Sequence, residues 1–300
     1  MPGQATTRPW LKSVRAVVIT GLLAVALWSV VDLDKLTRLF ARADLFWGSL
    51  AVLMLPAQAV VGGLRWRRVA KDLGLPLSRR YALEEYSLSM GLNQILPGGL
   101  AGDAVRVWRH KAGHGALGAP LRAAVVDRVI GHVAHLVITL VGLMLWPWAH
   151  GRAAPLWAWL VVVGILAFVV LIALRPLAGL RSLVADAKMA LSRPRQWGVH
   201  ALLSTALLAT ILFGFYAAAR ALGLPLGWGV LTAVPLMMLV LVLPVSVGGW
   251  GIREVSSILV FSLLEWSATD AVAVSAAYGM SCLVGALPAV FFWFKRREVE

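Results

Sequence analysis

The apolar positions of this chain fall in long, nearly unbroken blocks instead of helical stripes or strand-like alternation. Blocks at Val14–Val31, Leu45–Leu64, Val129–Trp148, Leu156–Leu174, Trp197–Ala219 and Asp270–Phe294 predict six helices. Each has about the 20 residues that cross roughly 30 Å of bilayer hydrocarbon. Trp28, Trp47, Trp66, Trp146, Trp148, Trp157, Trp159, Trp197 and Trp293 lie near their ends, where an amphipathic ring sits at headgroup depth. Two further apolar segments, Leu83–Gly102 and Trp228–Trp266, are interrupted by glycine and proline. The predicted fold class is an all-α integral membrane protein forming one polytopic domain over residues 1–300.

The two interrupted segments carry the same phrase. Leu96-Pro97-Gly98-Gly99 leads through Gly102-Asp103 to Arg106, and Leu243-Pro244 leads through Ser246, Gly248-Gly249-Trp250-Gly251 and Ile252 to Arg253-Glu254. The second Leu-Pro lies 147 residues after the first, and the same shift carries span one onto four, two near five and three onto six. Placing the N-terminus in the cytoplasm puts 22 of the 28 Lys/Arg on that side, the bias that sets orientation. Both termini are then cytoplasmic. In this topology neither interrupted segment can cross, so both are expected to be re-entrant helical hairpins entering from opposite faces. The expected architecture is an inverted repeat with halves of about 1–150 and 151–300. Irregular backbone cannot face lipid, so the breaks must be buried in protein or line a wet cavity.

Composition agrees. Hydrophobic residues make up 60% and charged residues 14%, against about 25% charge in soluble domains, and the mean hydropathy is +0.82. The formal net charge of +14 reads as cytoplasmic loops beside anionic lipid. No basic region lies in a foldable soluble module, which excludes nucleic acid as a partner. Cys282 is the only cysteine, so there is no intrachain disulfide and no cysteine metal cluster. Arg8, Lys12 and Arg15 before the first block outline a signal peptide, but the block exceeds a 7–15-residue signal core and no small-x-small site follows. It is read as a retained span.

Chemistry concentrates at the breaks. Glu85, Ser89 and Asn93 are spaced i, i+4, i+8, one polar stripe on the inbound helix of the first hairpin. Gly98 and Gly99 let backbone approach a ligand. Asp103 is expected as the N-cap of a helix over Ala104–Lys111. One turn on, Arg106 suits bidentate binding of a phosphate or an ion pair with Asp103. Asp127 and Arg128 could complete a headgroup pocket. In the second hairpin, Gly248 and Gly249 precede a helix expected from Ile252, whose N-terminus is an anion site in the making. Ser246, Arg253 and Glu254 lie beside it. An ionisable residue at such depth costs at least about 2.5–3.5 kcal/mol and is functional by default, although an Arg253–Glu254 pair also serves as structural glue. His110/His114 and His132/His135 have helical spacing, but no His-Glu-x-x-His accompanies them. No metal site or cofactor is expected. The sequence has no Gly-x-x-x-x-Gly-Lys-Ser/Thr loop and no Gly-x-Ser-x-Gly elbow, which removes a built-in ATPase and a serine hydrolase of that type.

Asn93-Gln94-Ile95-Leu96-Pro97-Gly98, Gly102-Asp103 with Arg106, Asp127-Arg128, and the Leu243–Glu254 phrase resemble the lysylphosphatidylglycerol synthase transmembrane-domain family, which includes the flippase half of the multiple peptide resistance factor. The likeness covers nearly the whole chain. Two departures are Ala101-Gly102-Asp103, where the family often has Gly-Gly-Asp, and Asp127-Arg128, where it often has Glu-Arg. Trp250 is bulky for a glycine-rich turn. The resemblance implies a protein of the bacterial plasma (inner) membrane that moves a phospholipid or polyprenyl-type lipid between leaflets. In two-part relatives a C-terminal soluble domain attaches an amino acid to phosphatidylglycerol. Here the sequence reaches Glu300 directly after its last predicted span, so synthase activity is not expected. Two rivals stay open. One is an integral-membrane transferase acting on a lipid-linked substrate, with Asp103 and Glu254 as acid and base. The other is a non-catalytic partner of lipid-modifying enzymes in envelope or hopanoid pathways. Expected partners are thus a membrane lipid, lipid-modifying enzymes and a second copy of the chain.

Overall fold

A computed structural model describes residues 9–96, 100–111, 118–173, 185–186, 189, 194–242 and 246–293. Among these, all regular structure is helical: α1 (Pro9–Trp28), α2 (Leu33–Ala41), α3 (Leu45–Asp72), α4 (Arg79–Ile95), α5 (Ala101–Lys111), α6 (Gly118–His150), α7 (Leu156–Ala173), α8 (Pro194–Ala221), α9 (Gly229–Met238), α10 (Ile252–Phe261), α11 (Ala268–Gly285) and the short α12 (Val290–Trp293). Short 3-10 turns extend α9 to Val242 and join α11 to α12. Gly98, Gly99, His114, the Leu243-Pro244 pair and the basic C-terminus lie outside the described residues.

The chain is an integral membrane protein. Among the described residues four helices are long and apolar enough to cross a bilayer: α3, α6, α8 and the α11–α12 run. The predicted first span departs from expectation. Val17–Trp28 and α2 form a pair bent by 96°, which counts as a fifth span only if taken together. The physical reason is Asp32, whose side chain accepts from the Lys35 amide and starts a new helix. α2 is then pinned sideways: Asp32 N–H donates to Thr269 Oγ1, and Lys35 Nζ sits 2.7 Å from Asp270 on α11. The predicted fourth span coincides with the apolar helix α7, which is not among the four, its side chains being described only to Ala167.

The spans overrun their predicted ends. α3 has 28 residues and α6 has 33, so at 1.5 Å per residue they reach about 40–50 Å. Asp44 caps α3 by accepting from Phe46 and Trp47 amides, while its own N–H donates to Ala221 O at the end of α8. α3 and α8 make the largest helix contact. Small residues help it, as at Gly214 on α8, where an added Cβ would come within 3.4 Å of Met54 Cβ on α3. The shorter helices pack in two pairs, α4 with α5 and α9 with α10. The first pair packs on α3 and also touches the α11–α12 run, and the second packs on α6 and α11, so each pair contacts both halves of the chain.

The second break is buried in protein. Gly248, Gly249 and Gly251 have φ of 57°, 82° and 81°, the left-handed region that glycine reaches without penalty. Val247 N–H donates to Thr20 Oγ1 on α1, and Leu23 covers Gly251. A Cβ on Gly248 would land on the Gln94 carbonyl at the end of α4. The described part of the second break therefore packs against the C-terminal end of α4.

Candidate functional site

Five helices enclose one ionic cavity of about 270 Å³. α3 contributes Gln58 and Arg65, two turns apart on one face; α4 contributes Tyr86, Ser89 and Asn93; α5 contributes Asp103 and Arg106. α6 adds Asp127, Arg128, Gly131, His132 and His135, and α8 closes it with Leu207, Leu208 and Ile211. All lie at helical spacings that put them on a shared face.

Asp103 is the hub of the α4–α5 pair. Oδ1 accepts from Ser89 Oγ at 3.1 Å and from Arg106 Nη2 at 2.9 Å. Oδ2 accepts from Asn93 Nδ2 at 3.4 Å and from Arg128. Asp103 is not the expected N-cap: α5 starts two residues earlier, because Asn93 Oδ1 accepts from Gly102 N–H at 2.8 Å and so covers the helix start from α4. A Cβ on Gly102 would land on the Ser89 carbonyl, so α4 and α5 touch this closely only with glycine there.

Asp127 is held from the other side. Its Oδ1 accepts from Arg65 Nε at 2.8 Å, and its Oδ2 lies 3.8 Å from Arg106 Nη1. Arg65 lies against Gly131 and donates weakly to Ser204 on α8. Arg106 is 1% exposed, with its guanidinium 4.6 Å from the Trp66 ring and 4.8 Å from the Tyr86 ring. Such stacking suits a planar, weakly hydrated cation. Arg106 Nε and Nη1 have no hydrogen-bond partner, nor does Nε2 of Gln58, which is 4% exposed.

Of the residues singled out by sequence, Asn93, Asp103, Arg106, Asp127 and Arg128 gather at this cavity. Glu85 does not follow Ser89 and Asn93 into it; it pairs with Arg109 at 2.9 Å. Ser246, Gly248, Gly249, Arg253 and Glu254 line no part of it. Arg253 and Glu254 are buried in a network of their own. Glu254 Oε1 accepts from Arg253 and from Ser275 Oγ at 2.8 Å, and Oε2 accepts from Gly251 N–H at 2.7 Å. The expected anion site at the start of α10 is thus occupied by the protein's own carboxylate. Arg253 lies between the Trp250 and Tyr278 rings, an arrangement that repeats Arg106 at the 147-residue offset.

Sequence reading missed Gln58, Arg65 and Tyr86. Gln58 carried a signal, as a lone amide inside a span. Arg65 was hidden by the boundary drawn at Leu64, which made it a loop charge, whereas α3 continues to Asp72 and buries it.

The described residues form an all-helical membrane protein with an arginine–aspartate cavity among its long helices. The chain is a member of the family described as the lysylphosphatidylglycerol synthase TM region, which residues 13–288 match. Among curated proteins none matches the chain. Family membership marks it as a membrane protein connected with lipids.

Proposed function

We propose that this protein translocates a phosphate-bearing lipid across the bacterial inner membrane, with the headgroup held in the α3–α6 cavity while the acyl tails stay in lipid. One observation carries the reading. Arg106 is almost wholly buried, braced by two aromatic rings and ion-paired with Asp103 and Asp127, while its Nε and Nη1 make no hydrogen bond. A buried donor without a hydrogen bond calls for an acceptor, and a headgroup phosphate would supply one. A second feature favours an amphiphile. The opposite face of α4 (Leu88, Gly91, Leu92, Ile95) forms, with Leu283, Leu287 and Val290, a groove of about 280 Å³ lined almost wholly by apolar groups. Helix α4 thus separates a polar compartment from an apolar one.

In this reading α4–α5 and α9–α10 are re-entrant hairpins of an inverted repeat. Both termini are cytoplasmic, and rocking of the halves exposes the cavity to each leaflet in turn. The reciprocal packing of each hairpin against the other half supports it. The transferase alternative is disfavoured by position, since Glu254 is engaged in its own network and only Asp103 borders the cavity. The test is transport of a fluorescent phospholipid in proteoliposomes. Wild type is expected to move lipid at a rate that Arg106→Met lowers at least tenfold; equal rates for the two proteins discard the mechanism.

A further inference from the structure

Helix α9 does not satisfy its own backbone. Pro235 lies inside it and has no N–H, so the Leu231 carbonyl one turn earlier loses its helical donor. That carbonyl lies against Gly142 of α6, where an added Cβ would collide with it. The Pro235 carbonyl is released as well. A continuing α-helix would direct Leu239 N–H to Pro235, but here it donates to Leu236 O, and the backbone tightens into the 3-10 turn Leu239–Val242. His135 Nε2 on α6 takes up the freed Pro235 carbonyl at 2.9 Å. Because a carbonyl only accepts, the ring proton sits on that nitrogen.

His135 also lines the ionic cavity, on the α6 face that carries Asp127 and Gly131 at i, i+4, i+8. One side chain thus borders the first site and holds the second hairpin. From the turn, contacts lead back to the cavity. The Leu241 side chain covers Gly249 of the second break, Gly248 sits on the Gln94 carbonyl at the end of α4, and the neighbouring Asn93 lines the cavity. The turn has two discrete arrangements. With the Pro235 carbonyl held by His135 it is 3-10, rising about 2.0 Å per residue; with that carbonyl returned to Leu239 N–H it is α-helical, rising about 1.5 Å. Over its four residues the exchange shortens the segment by about 2 Å, and Leu241 carries the glycine break with it.

We infer that His135 is the positioning residue that couples the α3–α6 cavity to the second hairpin. It holds the 3-10 arrangement while it donates to Pro235, and it permits the α-helical one when an acceptor in the cavity takes its N–H. The step rests on the translocation reading just given, for which it names the part that moves first. In both arrangements the Pro235 carbonyl accepts one hydrogen bond and Leu239 N–H donates one. The two therefore lie close in free energy, and a single contact in the cavity decides between them.

The experiment uses the full chain and three variants. His135→Leu removes the donor, His135→Gln puts an amide nitrogen near the position of Nε2, and Pro235→Ala returns an N–H to Leu231 and favours the α-helical arrangement with His135 intact. Hydrogen–deuterium exchange in nanodiscs reads the peptides covering residues 239–242. Their exchange should slow at least threefold in His135→Leu and in Pro235→Ala, since α-helical bonds protect better than 3-10 ones, and should stay as in wild type in His135→Gln. A merely structural role for His135 predicts the opposite sign: losing the bond would loosen the turn and speed exchange. In phosphatidylcholine vesicles with fluorescent phosphatidylglycerol, His135→Leu is expected to lower transport at least tenfold and His135→Gln to restore it to within about threefold of wild type. Faster exchange in His135→Leu, unchanged exchange in Pro235→Ala, or transport by His135→Leu at the wild-type rate each overturns the inference. If His135→Leu does not fold, Pro235→Ala decides by the same exchange measurement. If no protein moves lipid, the translocation reading fails, and slowed exchange in both variants would still establish that His135 sets the turn.

Discussion

Replacing Arg106 with methionine separates what the guanidinium does for the fold from what it does for a ligand. Methionine keeps an unbranched, polarisable side chain between the Trp66 and Tyr86 rings. The fold loses one charge-assisted hydrogen bond to Asp103, about 1.5–3 kcal/mol, and two ring contacts of about 0.5–2 kcal/mol each. Against this, the variant no longer buries a guanidinium, whose desolvation costs several kcal/mol. Neither carboxylate is orphaned. Asp103 keeps Arg128, Ser89 and Asn93, and Asp127 keeps Arg65. These opposing contributions nearly cancel, and the variant should unfold within about 2 kcal/mol of wild type. A bound phosphodiester loses at least one charge-assisted bond, about 1.5–3 kcal/mol, which corresponds to roughly 10–150-fold in affinity. The assay pairs thermal unfolding in detergent with phosphatidylglycerol binding in nanodiscs. A variant that unfolds far more easily yet binds the lipid as wild type does would refute the reasoning, because Arg106 would then be structural.

Removing one partner of a buried pair behaves differently. Asp127→Leu leaves Arg65 buried without its carboxylate and should cost about 3–5 kcal/mol, seen as a lower unfolding temperature. The Arg65→Leu/Asp127→Leu double variant should recover most of that loss. Glu254→Leu should be comparably destabilising, since it orphans Arg253 and uncaps α10. Gly102→Ala drives a methyl group into the Ser89 carbonyl. Overpacking of this kind costs about 1–3 kcal/mol, and both thermal stability and lipid binding should fall.

Much of the architecture is written in block hydrophobicity, because a helix facing lipid must be apolar on every side. The predicted cores of α3, α6, α8 and α11 lie inside the observed helices. Their ends were harder to place. Arg65 and Asp127 are charged, so hydropathy put Arg65 outside its span and Asp127 just before the start of its own, but ion pairing across α3 and α6 lets both helices continue through them. The bend at Asp32 escaped the same reading, since a capping carboxylate signals a helix start only once the helix is known to turn aside. At the site, the pairing of Asp103 with Arg106 was legible from i,i+3 spacing on one helix. The company of Gln58, Tyr86 and Arg65 was not, because it depends on which faces of α3 and α4 meet. The repeated glycine phrase suggested two equivalent half-sites. The difference lies in where the carboxylate sits: Arg253 pairs with Glu254, which follows it, whereas Arg106 pairs with Asp103 one turn earlier.

The most direct measurement is an experimental structure of the protein in phosphatidylglycerol nanodiscs, read for phosphate density in the α3–α6 cavity. The geometry requires phosphate oxygens at about 3 Å from Arg106 Nε or Nη1, with Gln58 Nε2 turned toward the same group. A cavity holding only water, with lipid phosphate ordered elsewhere on the protein, would contradict the proposed role of Arg106.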